Sequence, residues 1–593
     1  MLLKSRLPKG PQGVPPLHAG LFFQEVWTAP QARLEALIRL RDQDRAAFDA
    51  GLQDTLRRHE RRESIAALEA LALGGELTVE TARLLWPARL ALQRWAEALQ
   101  ILEDPRFARP RHANWWYDVA CARAGCGATV QALAAVREAA ARDPEGPEIA
   151  ELAAALERLS DYQARPQGPS NWQDLKDHVG LLIELHQFGQ AAAVLSEALT
   201  RLGPSASLKK LHIALALART LFRVIDPPTT LSLLLRLKPA FERAGLGGIH
   251  EWACAELTAP EGEAWRPPPS FGDQHFLRAC VGQAFAAVGR WKTATSLLGE
   301  VATLRDDPFD CRVDLSRCVG RAVLEDFPPR FAPPSPHRKI VKVFRFFDEF
   351  LLLRLKLEEM APWVDRFVII EATSTFTGQP KPLLFEQRRD EFAPWADKIQ
   401  HMVVDFPPWA DSAWGREFYQ RDMGVQALSG YVGPDDLVLI SDADEILKRE
   451  PIEGFTGDFA ALGMDVYNYF FNFRRLYDSQ PTYGVVWRAK YLDGIGLSAA
   501  GMAPTPFSKW HILPDAGWHF TSIKDAEGLL IKLQAYSHTE YAGIGRMELV
   551  QRLERIRDGE PFIGHQRCEI DEAMPRAVRD NQDLISEFIL GRD

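Results

Sequence analysis

Leu437-Val-Leu-Ile-Ser441 runs directly into Asp442-Ala-Asp444-Glu445, and this stretch decides the fold of the C-terminal part of the chain. A short apolar run bounded by polar residues reads as a strand buried on both faces. Two carboxylates separated by one residue at the end of such a strand can face one small volume. Working outward, Ile340–Phe347 is a strand candidate, Glu349–Met360 a helix and Arg366–Glu371 a buried strand. Glu386–Trp395 reads as a short helix, Lys398–Asp405 as a strand and Ala413–Ser429 as a helix. Strands alternating with helices predict βαβ units and a parallel sheet covered on both faces, with ligands beyond the carboxyl ends of the strands.

Oxygen ligands in that pattern suit Mg²⁺ or Mn²⁺. A metal there would bridge a diphosphate and take up the charge that develops as it leaves. The same residues also open the phosphatase-type aspartyl nucleophile motif. There, however, the pair follows the first strand of the domain, with Thr or Val next but one. Here three strand–helix units precede it, and Glu445 and Ile446 follow.

At 593 residues the chain is long enough for several domains, and its 46% apolar and 25% charged composition is that of a globular protein. Phe327-Pro-Pro-Arg-Phe-Ala-Pro-Pro-Ser-Pro336 has five prolines in ten residues and reads as a semi-rigid linker. The expected division is therefore an N-terminal extension at 1–29, a helical repeat domain at 30–326, a linker at 327–337 and an α/β domain at 338–593. Residues 338–593 hold 30 Lys/Arg against 40 Asp/Glu, which accounts for the whole net charge of −10. That balance excludes a general nucleic-acid binder. No run of ~18 apolar residues predicts a membrane span, and Met1–Gly20 has no apolar core of a signal peptide. Seven cysteines, mostly in apolar helical patterns, fit a reduced, cytoplasmic setting.

Before the linker the chain is rich in Ala and Leu. Trp116, Val119, Ala120, Ala132, Val136, Ala139 and Pro144 follow tetratricopeptide spacing, with Arg123 where an aromatic is usual. Gly282, Phe285, Gly289, Trp291, Ala294 and Leu298 repeat the offsets. Phe188, Ala191 and Leu195, and Trp95, Ala98 and Leu102, form partial copies. Residues 30–326 thus resemble a degenerate tetratricopeptide-type solenoid, in which small residues let paired helices approach. Such an array either holds a protein partner or serves as a helical spacer.

After the linker, several ordered motifs resemble glycosyltransferase family 17: Phe347-Asp-Glu-Phe350, Phe367-Val-Ile-Ile-Glu371, Thr375-Phe-Thr-Gly378 with Lys381-Pro382, Trp414–Arg421, Ser441–Ile446, Gly517-Trp-His-Phe520 and Ser537-His-Thr-Glu-Tyr541. The resemblance implies an α/β GT-A (Rossmann-like) transferase that inverts the anomeric centre, uses a divalent metal and takes a UDP-sugar, with UDP-N-acetylglucosamine the expected donor. The acceptor is expected to be a glycan or protein positioned by the repeats. A catalytically inactive scaffold, or a transferase acting on a lipid-linked or polysaccharide acceptor, are the alternatives.

Asp444 is the expected direct metal ligand, with Asp442 contacting the metal through water or holding ribose. His519 completes the set by analogy with other GT-A enzymes, and His538 is its substitute. Glu371, Lys381 and Arg421 are the expected nucleotide-sugar contacts, the two cations through the diphosphate. Glu540 and Glu527 are candidate general bases for removing the acceptor proton, with Asp515 and Asp525 behind them. Tyr467, Tyr469, Phe470, Phe471, Phe473 and Trp518 read mainly as core. Trp487 and Trp510 are possible acceptor platforms.

Overall fold

The structure is a computed structural model that describes positions 82, 86, 89 and 90 and residues 94–593, apart from 166–170, 202–207, 260–264, 305–306, 308–310, 334, 336, 477–481, 503–511, 542, 561–563 and 592–593. The N-terminal extension and most of 30–93 lie outside the described residues. The chain divides into two compact units at Arg290/Trp291, with Trp265–Pro268 grouped into the second.

The first unit is built of helices among its described residues. Ala113–Gly125 packs on Thr129–Ala140, and that helix packs on Pro147–Gln163; Trp172–Glu184 pairs with Phe188–Thr200. Ala120, Ala132, Val136 and Ala139 are buried between them. Close approach needs small residues. A Cβ on Gly125 would sit 2.3 Å from the Trp95 ring. Arg123, the departure from the repeat pattern, reaches Glu103 at 2.7 Å.

The second unit holds a ten-stranded mixed sheet ordered β10-β7-β6-β8-β4-β1-β2-β3, with β9 pairing both β5 and β6. The strands are β1 Ile340–Arg345, β2 Arg366–Ala372, β3 Ile399–Val404, β4 Leu437–Ile440, β5 Glu445–Leu447, β6 Phe459–Asn468, β7 Phe473–Arg475, β8 Thr482–Arg488, β9 Ile512–Thr521 and β10 His565–Arg567. β1, β2, β3 and β4 are parallel, as the apolar runs predict. The chain steps outward from β1 to β2 and β3, then returns to place β4 on the other side of β1. That reversal is a topological switch point, where open α/β sheets form a binding crevice.

The other half of the sheet is mixed, with β9 parallel to β6. β8 runs antiparallel to β4 and β6, and β7 runs antiparallel to β6 and β10. Leu513–Gly517, which reads as a loop from its Pro, Asp and Gly, lies inside β9. Asp515 adopts a φ of 51° there, and the β6 register shifts between Leu462 and Met464 to absorb the irregularity. Gly517 lets β9 close on β5, since a Cβ would fall 2.4 Å from the Ile446 carbonyl oxygen.

Two helices assigned to the repeats on sequence, Trp291–Ala302 and Cys311–Asp326, belong to the second unit. Cys311–Asp326 packs on Leu492–Met502 and Ala413–Asp422. Ser296 Oγ donates to Asp411 Oδ2 at 2.6 Å. The proline-rich stretch is likewise fastened to this unit rather than free. The Ala332 N–H donates to the Val432 carbonyl at 2.8 Å, and the Arg330 N–H donates to Ser429 Oγ at 3.0 Å.

Candidate active site

β4 is buried at all four positions and delivers its next residues to the crevice beside the end of β1. Asp442 therefore meets Arg345, the last residue of β1. The guanidinium bridges Asp442 Oδ1 at 2.5 Å and Glu417 Oε1 at 2.5 Å. Arg421, from the helix Ala413–Asp422 that Ser412 caps, stands 3.5 Å from Asp442 and 3.7 Å from Glu417. Burial alone would favour the neutral acid, but Arg345 and Arg421 hold the Asp442 carboxyl below its usual range.

Asp444 is placed by the next strand. β5 pairs with β9 so that Glu445 lies opposite His519, and the Phe520 N–H donates to the Asp444 carbonyl at 2.9 Å. That register brings His519 Nε2 to 3.4 Å from Asp444 Oδ1. Lys532, on the helix Ala526–Ala535, reaches Asp444 Oδ2 at 3.3 Å. Against burial, Lys532 and His519 keep Asp444 ionised well below the usual range. Burial also works against the imidazolium, yet Asp444 and Glu445 raise the pKa of His519.

Beneath the pair lie two fully buried lysines. Lys342, in the middle of β1, donates to Ser441 Oγ, and Lys356 donates to the Asp442 carbonyl at 2.7 Å. Burial and then the neighbouring Lys356 push Lys342 well down, and burial lowers Lys356 to about 8. Their neighbour Glu445 is pushed up by burial, and accepts the Asp442 N–H at 3.1 Å. The loop bearing both aspartates is thus fixed from below by polar groups that water does not reach, which is how a site keeps its geometry.

Above the pair opens a cavity of about 600 Å³. Arg345, Glu349, Lys381, Asp442, Asp444, His519 and Lys532 line one part of it; Tyr469, Arg475 and Arg552 line another. The volume is that of a small-molecule pocket, and all of its described carboxylates belong to the part that holds the Asp pair.

The comparisons with known proteins fall on this same unit. Residues 331–561 match the family model of glycosyltransferase family 17. This part of the chain is a glycosyltransferase domain. Beta-1,4-mannosyl-glycoprotein 4-beta-N-acetylglucosaminyltransferases of Rattus norvegicus and Homo sapiens are each 28% identical over 261 residues, covering 38% of this chain and 48% and 49% of theirs. The Mus musculus enzyme is similar to the same extent. The chain thus spans about half the length of these curated relatives.

Within the glycosyltransferase domain, Asp442, Asp444, His519 and Lys381 line the cavity, and so does His538. Glu371 does not reach it. Its carboxylate is fully buried among Lys381 at 3.2 Å, His401 at 3.1 Å and the N–H groups of Leu384 and Phe385 at 2.5 and 3.2 Å. It fixes the Lys381 loop instead of meeting a nucleotide. Arg421 stands largely buried behind Asp442, which it helps to orient, and is not among the residues that line the cavity. Glu527 is exposed and ion-paired with Arg546 at 3.1 Å, off the cavity wall. The Glu540 side chain and all of Trp510 lie outside the described residues. Asp515 pairs with Lys448, and Asp525 caps its helix through the Gly528 N–H at 2.7 Å. Trp487 is 1% exposed and stacked on Phe459, so it is core.

Sequence reasoning missed Arg345, Lys532 and Glu349. The visible signal for Arg345 was a cation at the carboxyl end of a strand, where ligands of such sheets bind. Lys532 sits on a helix where a lysine reads as solvent-facing.

Proposed function

We propose that the domain is a GT-A-type transferase that moves a sugar, N-acetylglucosamine from UDP-N-acetylglucosamine, onto a glycan or protein acceptor with inversion. The observation that carries this reading is the Asp442–Asp444 pair on the wall of a 600 Å³ cavity at the β1/β4 switch point, surrounded by Arg345, Lys381 and Lys532. Those cations suit the negative charge of a nucleoside diphosphate as it leaves. The family and the printed activity of the relatives support the sugar.

A divalent ion fits the donor set. Asp444 Oδ1 and His519 Nε2 offer an oxygen and an imidazole nitrogen 3.4 Å apart. Among the described residues no group of three or more His, Cys, Asp or Glu is arranged to hold a metal. Mg²⁺ is commonly held by one or two protein ligands together with water and substrate phosphates. When bound, such an ion would neutralise the diphosphate.

The protein's own groups do the rest. Arg345 orients Asp442, and Lys381 is held at the cavity wall by Glu371. Inversion requires a base for the acceptor hydroxyl. Glu349 lines the cavity, and its Oε2 accepts the N–H groups of Phe347 and Asp348 at 3.1 and 3.2 Å, leaving Oε1 for an incoming hydroxyl. The helical unit is the proposed holder of a protein acceptor, on the tetratricopeptide spacing of its sequence. The seven cysteines are free thiols, which supports a cytoplasmic setting; no described helix is long and apolar enough to cross a membrane.

The test is UDP release from a panel of UDP-sugars with Mn²⁺, comparing wild type with Asp444→Ala. Release from one donor, abolished by EDTA and by the substitution, is expected. Binding of UDP without turnover of any donor, with cell extract supplied as acceptor, would instead establish an inactive scaffold.

A further inference from the structure

The cavity is chemically two-ended. All three described carboxylates that line it, Glu349, Asp442 and Asp444, follow β1 and β4. Its other end is formed by Asn468, Tyr469, Arg475, Tyr541, Leu549 and Arg552, and none of these lining residues is an acid. The ends are well separated. Glu445 pairs with His519, His519 with Val466, and the next residue, Tyr467, with Arg474. Three inter-strand steps of ~4.8 Å thus put roughly 14 Å between the strands that carry Glu445 and Arg474.

The two arginines are directed to the same space by regular structure. Along β7 alternate residues share a face. Phe473 packs with Leu549 and Leu553 of the helix Arg546–Arg557, so Arg475 shares that face. Arg474 takes the opposite one and pairs with Asp465 at 2.6 Å. On the helix, Arg552 lies one turn from Leu549. Arg552 Nη1 donates to the Tyr469 hydroxyl at 3.3 Å, and its ion pair with the exposed Glu548 at 3.1 Å is of the weak, solvated kind. Tyr469 itself holds a left-handed φ of 67°, uncommon for an aromatic residue, with its N–H on the Thr521 carbonyl at 3.1 Å. This end therefore offers two guanidinium groups beside a tyrosine ring, on a domain whose sequence is acidic overall.

We propose that the Tyr469–Arg475–Arg552 end of the cavity is an acceptor subsite for a sugar carrying a negative charge, a carboxylate or a phosphate substituent. The inference rests on the nucleotide-sugar reading of the Asp pair and adds the class of acceptor. The ring stacks a sugar's C–H face, while the guanidinium pair receives the charged substituent by bidentate hydrogen bonding. On a domain of net negative charge, a basic cleft is where such an acceptor is attracted.

The test uses full-length protein saturated with UDP, titrated with a hexose methyl glycoside, its uronic acid and its 6-phosphate. At least one charged sugar should bind about tenfold tighter than the neutral one, with the gap shrinking as salt is raised. The uronate and phosphate arms show which substituent is read. In Arg475→Gln/Arg552→Gln that gap should close. Equal binding of charged and neutral sugars by wild type overturns the proposal, as does a gap that survives the double substitution. If the variant loses UDP instead, the arginines hold the donor and the assignment falls. Should the variant fail to fold, the wild-type comparison and its salt dependence decide. Failure of wild type to bind UDP at all counts against the nucleotide-sugar reading, and the same sugar titration without UDP still judges the subsite.

Discussion

Replacing Arg345 with methionine tests the arrangement behind the Asp pair. The guanidinium, 13% exposed, lies 2.5 Å from both Glu417 and Asp442, but the two partners are not equivalent. The Asp442 side chain is 46% exposed, so water can solvate it when its partner goes. That half of the bridge is worth up to ~1 kcal/mol. The Glu417 side chain is 8% exposed. Leaving such a carboxylate without its cation costs ~3–5 kcal/mol. Arg421 at 3.7 Å and the Ser537 hydroxyl remain beside it, which places the expected loss near the lower figure, about 3 kcal/mol. Urea unfolding followed by tryptophan fluorescence should show the transition of this unit at lower urea with unchanged slope. Adding Glu417→Gln removes the stranded charge and should restore most of that stability. It should not restore UDP release, because Asp442 has lost its anchor. A single variant as stable as wild type, or a double variant no better than the single, would refute the reasoning.

Two further outcomes follow from burial. Asp422 is fully buried and its pKa is pushed up to about 7, burial outweighing the Ser498 N–H at 3.0 Å and Arg421. The unfolded chain releases this proton near pH ~3.9, so stability falls as pH rises from there to about 7, by about 4 kcal/mol at most. Asp422→Asn should therefore melt higher than wild type at pH 8 and equally at pH 4, and the same increment at both would contradict this. A chain beginning at Trp291 should fold and bind UDP, whereas one beginning at Pro328 should not. The helix Cys311–Asp326 buries Leu315, Val319, Val323 and Leu324. At ~1.5–3 kcal/mol each, their removal takes roughly 6–12 kcal/mol from a unit whose whole stability is of order 5–15. Equal solubility and melting of the two truncations would show that the boundary lies at the proline-rich stretch after all.

The parallel half of the sheet was legible because β1, β2 and β4 are buried on both faces and so appear as short, mainly apolar runs. The rest was hidden by brevity and irregularity. β5, β7 and β10 have three residues each, too few to show a period. β9 carries a proline, a positive-φ aspartate and a glycine, all signals of a loop, because it must bend to pair with two strands at once. The repeat pattern misled at its C-terminal end for a related reason. Alternating small and large residues mark any tightly packed helix, and Trp291–Ala302 uses its Gly299 to admit Ser412, not a neighbouring repeat: a Cβ there would meet the serine hydroxyl at 2.2 Å.

At the site, sequence identifies charged residues but not which of them cancel. Glu371 and Lys381 both belong to the motifs that drew attention, and each alone has chemistry suited to a nucleotide sugar. Ten positions apart, they fold back on one another, and the glutamate is consumed in holding the lysine and the turn that follows it. Arg421 is spent in the same way on Asp442 and Glu417. Other charges face the cavity beside a partner that also faces it: Arg345 with Asp442, and Lys532 and His519 with Asp444. A charge whose partner also faces the ligand can exchange that partner for substrate at little desolvation cost, whereas a charge paired inside the protein cannot. That distinction depends on tertiary pairing, and it separates the residues that organise this site from those able to act in it.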